Sequence, residues 1–76
     1  MNNTRRAALK TIRARLSELM DKLTDIAEQE EEAFDNLTEG LQASTRGIAI
    51  EEAIENLNSA IDSLDEAVDY IDEAIG

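Results

Sequence analysis

Leu9, Ile12, Leu16, Leu19, Leu23, Ile26, Glu30, Ala33 and Leu37 follow one another at spacings that alternate three and four. With Leu9 taken as heptad position a, every a and d site through Leu37 is apolar except Glu30. That is the 3.5-residue period of a coiled-coil seam. Position e of the same helix carries Met20, Ala27 and Phe34, so the apolar stripe is wider than a two-helix seam needs. The second half is an internal heptad repeat. Ile54, Ile61, Val68 and Ile75 hold one seam position, and Ile50, Leu57, Leu64 and Ile71 the other. Ala53, Ala60, Ala67 and Ala74 recur beside them on a third column, where small side chains let a neighbouring helix come close.

These patterns predict two helices, about 4–39 and about 44–75, joined by a turn at about 40–43. Asn3 or Thr4 supplies the first N-cap, Gly40 the C′ residue that ends helix 1, and Ser44 the N-cap of helix 2. So short a connection folds the helices back antiparallel, each roughly 45–55 Å long at about 1.5 Å per residue. Charge agrees with that topology. Residues 1–17 carry Arg5, Arg6, Lys10, Arg13 and Arg15 and no acid, and folding back sets them beside Asp65, Glu66, Asp69, Asp72 and Glu73. The fold class is all-α: an antiparallel hairpin of two long helices. Two helices alone leave the third apolar column of each uncovered, so a homo-oligomeric bundle is expected. Met20, Leu23, Ala27, Glu30, Phe34, Ala53, Ala60 and Ala67 are its expected interface.

Composition narrows the chemistry. The 76 residues hold one small domain with a thin core, and without Cys no disulfide can support it. The absence of His removes the commonest general base and metal ligand, and a di-metal carboxylate bundle needs it. The segment from Asp35 is a poor calcium loop, with Leu37 at its third position and Arg46 where a bidentate Glu belongs. No nucleophile–base pair or phosphate-cradling Gly loop is present, so neither an enzyme nor a cofactor is expected. A formal charge of −11 disfavours direct contact with nucleic acid or an anionic membrane. No apolar run of spanning length and no signal-peptide segment occurs, which points to the cytoplasm of the producing cell.

Several residues carry two readings. Glu30 is either a functional carboxylate in the seam, or a residue that reaches water where the seam frays or sets the register as a buried polar group can. Phe34 belongs by default to a core or interface. Tyr70 should be exposed, as a contact residue or as a ring lying along Arg13. The cluster Arg5, Arg6, Lys10 and Arg13 either pairs with helix 2 or binds an anion, since Arg forks suit phosphate.

Residues 30–47, EEEAFDNLTEGLQASTRG, together with the heptads EEAIENL, NSAIDSL and DEAVDYI and the opening NNTRR, resemble a family of small acidic helical proteins. Phages and integrated mobile elements of Gram-positive bacteria encode that family. Its members often have Pro in place of Thr38, and an acid in place of Thr45 or Ile48. The resemblance spans nearly the whole chain and implies a dispensable phage protein of the accessory kind, many of which counter host defence. A bacterial host cytoplasm is the compartment implied.

Three functions follow as expectations. In the first, the oligomer is a sponge that sequesters a small cyclic-nucleotide-like signal between protomers. Arg5, Arg6, Phe34, Asn36, Arg46 and Tyr70 would line that site, and an antiparallel pairing of hairpins would bring Phe34 and Arg46 of one chain near Arg5 and Arg6 of its partner. In the second, the acids between Glu51 and Glu73 form a negative rod that inhibits a host nuclease or defence protein, as a DNA mimic does. In the third, the chain is a structural coiled-coil adaptor.

Overall fold

The computed structural model describes all 76 residues, and its only regular structure is helix. Helix α1 spans Asn3–Asp35, a single short turn α2 spans Glu39–Gln42, and α3 spans Thr45–Ile75. Neither long helix contains Pro, and α1 contains no Gly, so nothing interrupts 33 residues of hydrogen-bonded backbone. No helix is long and apolar enough to cross a membrane.

Local chemistry sets the ends. Asn2, one residue before the two expected caps, accepts the Arg5 N–H on its side-chain oxygen at 2.8 Å. Ser44 caps α3 as expected, accepting from the Gly47 N–H at 3.3 Å. The C-terminus of α1 differs from expectation. The helix stops at Asp35 rather than near 39, with Asn36 as its C-cap, and Gly40 sits inside α2 with no positive φ. Two devices replace the glycine cap. The Leu37 N–H folds back onto the Phe34 carbonyl at 3.0 Å, and Gln42 Nε2 donates to the carbonyls of Phe34 and Leu37 at 3.2 and 3.3 Å. The carbonyls left over at the helix end thus find a side-chain donor and need no left-handed residue.

α1 and α3 run antiparallel and lie against each other along their length, in a rod measuring 58 × 15 × 13 Å. The packing face of α1 is rotated from the expected a/d seam. Its less exposed positions are Arg6, Leu9, Arg13, Leu16, Met20, Leu23, Ala27, Glu30, Phe34 and Leu37, which are columns a and e, with Ser17 and Thr24 beside them on column b. Column d points away: Ile12, Leu19 and Ile26 are 49%, 52% and 47% exposed. The reason lies in the e column. It holds Ala27, small enough to bring the helices together, and also Arg6 and Arg13, which reach α3. Only two of three apolar columns can face a single partner helix, and this pair satisfies both ends of the hairpin. α3 uses both of its seam columns, Ile50 to Ile71 and Ile54 to Ile75. Ala27 and Val68, at 3% and 6% exposure, are the best covered side chains of this slender core.

Candidate functional site

At the open end of the hairpin, Arg13 grips Asp72 in a two-pronged ion pair. Nε donates to one carboxylate oxygen, and Nη2 donates to the other at 3.0 Å. Seven residues earlier, Arg6 Nε donates to the Ile75 carbonyl at 3.1 Å, near the negative end of the α3 dipole. The hydrogen bond from Arg13 holds the Asp72 carboxyl below its usual range, and the same bond raises the Arg13 guanidinium. A depressed carboxyl stabilises the fold above the unfolded Asp pKa of about 3.9, and that contribution disappears as pH falls through the lower folded value. The pair is solvent-exposed, so its effect is small. Wild type should melt slightly above Asp72→Asn at neutral pH, and the difference should close in strong acid; thermal melts between pH 2 and 7 check both points.

The pairings of Arg6 with Ile75 and Arg13 with Asp72 fix the register of the two helices. Carried along at equal rise, they set Ile12 between Ala67 and Ala74, Leu19 between Ala60 and Ala67, and Ile26 between Ala53 and Ala60. In an antiparallel pair, columns that flank the seam in the same sense on each helix fall on one face of the pair. One broad face therefore presents Ile12, Leu19, Ile26 and Ala33 beside Ala53, Ala60, Ala67 and Ala74.

The polar columns bordering this face hold Ala8, Arg15, Lys22 and Gln29 on α1, and Ala49, Asn56, Ser63 and Tyr70 on α3. Arg5 and Arg46 extend the two apolar columns at its opposite ends. None of the 17 acids in the long helices lies on this face. In the long helices they occupy the back and outer columns, Glu30 alone excepted. Four of the seven basic side chains, Arg5, Arg15, Lys22 and Arg46, lie here, and none makes a salt bridge, Arg13–Asp72 being the single ion pair.

The expected site residues are dispersed accordingly. Arg5 and Arg46 are exposed on the acid-free face at opposite ends of the rod. Arg6 is committed to Ile75 and Asn3. Phe34 turns towards α3 and is half-buried, and Asn36 is the exposed cap beside it. Tyr70 is 65% exposed on the edge of the face, nearer the open end than the turn. Glu30 is partly exposed and pairs with nothing. The protomer has no enclosed cavity.

The fold divides the residues expected at an oligomer interface between two faces. Met20, Leu23, Ala27 and Phe34 are taken up between α1 and α3, because the helix pair closes on columns a and e. Ala53 and Ala67 remain half-exposed and Ala60 exposed. The a/d pattern of α1 predicts Ile12, Leu19 and Ile26 inside the seam. The signal that they lie outside was the distribution of acids, absent from their column and from the columns bordering this face.

Fold and charge together define an all-helical hairpin with one acid-free face and an acidic back. No family model matches the chain, and no curated protein or solved structure is similar enough to count as a match.

Proposed function

We propose that this chain is a non-enzymatic binding protein of the accessory phage kind, which sequesters a small nucleotide-like anion between copies of itself. One observation carries the reading: on a chain of charge −11, Arg5, Arg15, Lys22 and Arg46 stand without acidic partners on a single face. Desolvating a cation without a counter-charge is costly, so a face built to be covered should pair these groups with something negative. Arg5 and Arg46 lie at opposite ends of a 58 Å rod, too far apart to share a ligand within one chain. A second copy laid end for end brings Arg5 of one beside Arg46 and Asn36 of the other, and two guanidinium forks suit a phosphate. Phe34, half-buried, and Tyr70, roughly 12 Å along the rod from the level of Arg5, drop out of this version of the site.

The test is equilibrium binding of a cyclic dinucleotide panel, read by native mass spectrometry. Arg5→Ala and Arg46→Ala should each weaken retention at least ~10-fold, the equivalent of about 1.4 kcal/mol, with the melting temperature unchanged. If neither substitution weakens retention, the site is wrong. The acid-covered back favours a second reading, in which the chain inhibits a protein that handles nucleic acid. Apo protein throughout the panel, with salt-sensitive binding to a host nuclease that DNA competes away, would favour it.

A further inference from the structure

We infer that the acid-free face is a self-association surface, on which a second copy of this chain packs end for end, α1 upon α1 and α3 upon α3, around a two-fold axis at Leu19. The inference deepens the reading above by naming the assembly that reading requires, and its test needs no ligand.

The first argument is area. A compact monomer of 8.4 kDa exposes about 4,600 Å². This chain exposes 5612 Å² and has a radius of gyration of 17.2 Å, against about 11 Å for a compact chain of its length. The excess of roughly 1,000 Å² matches the ~800 Å² that each partner contributes to a stable interface. The face itself measures 58 × 15 Å, or 870 Å² in footprint. The second argument is charge. Acids are kept off this face although they make up 18 of 76 residues, and that exclusion has no purpose on a surface left in water.

Orientation follows from where the charge sits. The open half, residues 1–17 with 65–76, carries five bases and five acids and is neutral. The turn half, residues 18–64, carries thirteen acids and two bases, which is the whole −11. Copies packed with their turns together would stack −11 upon −11. Packed end for end, each acidic half lies over a neutral half that holds Arg5, Arg6 and Lys10. With Leu19 on the axis, Ile12 of one copy meets Ile26 of the other, while Arg15 comes within two residues of the level of Asp25, and Lys22 within two of that of Glu18. Arg5 comes over Ala33, about one helical turn from the level of Arg46.

The chain lacks cysteine, so single cysteines can report this arrangement directly. The wild type should have twice the chain mass by light scattering at micromolar concentration. Leu19→Cys should oxidise to a covalent dimer, and Ile12→Cys should cross-link to Ile26→Cys in a mixture, while Ala14→Cys on the back stays uncoupled. Leu19→Asp should weaken dimerisation at least ~100-fold and keep its helical circular dichroism, because Leu19 is already exposed in the protomer. A wild-type monomer, or Leu19→Asp that associates as tightly as wild type, overturns the interface. Cross-linking of Ile12→Cys to Ala67→Cys with none at Leu19→Cys overturns the orientation. A Leu19-centred dimer that retains no nucleotide leaves this inference standing and sinks the ligand reading alone.

Discussion

Gly47→Ala should lower stability by about 1–3 kcal/mol, and Gly40→Ala should not. Both glycines lie in helices at the turn, and by propensity alone each replacement should gain up to ~1 kcal/mol. Space separates them. A Cβ on Gly47 would press into the carbonyl oxygens of Gln42 and Leu41 and come within 2.6 Å of the Gln42 carbonyl carbon, all of it backbone. A Cβ on Gly40 meets nothing within 4 Å. Relief at Gly47 therefore requires moving α2 off the start of α3. That movement would drag Gln42 from the Phe34 and Leu37 carbonyls that it caps. The loss should appear as a melting temperature lower by about 5–20 °C, at 4–8 °C per kcal/mol for a domain of this size. Faster amide exchange around residues 34–42 should accompany it. An unchanged melt for Gly47→Ala would show that the turn can open at no cost.

The two glycines also mark where the sequence was legible. Period suffices for the long helices and the Ser44 cap, which depend on residues close together in the chain, while the short turn and the opposite charges of the two termini suffice for the antiparallel pairing. Gly40 reads as a helix terminator since glycine usually is one, whereas no pattern in the sequence singles out Gly47 inside α3. Close approach between two backbones leaves no periodic trace, so only the folded chain reveals which glycine is irreplaceable. The seam was misjudged for a related reason. Columns a, d and e of α1 are all apolar over most of its length, and a hydrophobic period cannot say which two will face the neighbour. The acids could have decided it. In the long helices every acid except Glu30 avoids the columns that are covered by α3 or lie on the open face. A polar pattern often delimits an interface more sharply than an apolar one, because a charge buried without a partner costs more than an exposed leucine.

Charge segregation further links the fold to the candidate site. Arg6 and Arg13 pull column e of α1 against α3, which turns Ile12, Leu19 and Ile26 outward onto the face that carries Arg5 and Arg46. Had the a/d seam formed, those three side chains would be buried and the unpartnered cations would border no apolar surface. The open-end contacts thus set the helix rotation on which both the proposed interface and the proposed anion site depend.

That rotation is most exposed to test at Ala27, the best covered residue of the chain at 3% exposure. Ala27→Leu should destabilise the hairpin by about 1–3 kcal/mol, because three added carbons at a site already covered must push α3 away or leave their rotamers. The same change at Ala14, exposed on the back of α1, should be neutral within ~0.5 kcal/mol, since leucine and alanine are both strong helix formers. Chemical denaturation of the two variants at matched protein concentration separates the outcomes and holds constant any contribution from association. If the seam were a/d, Ala27 would flank the contact and the larger side chain would gain burial, so Ala27→Leu would stabilise. The sign of that one difference decides which face of α1 meets α3.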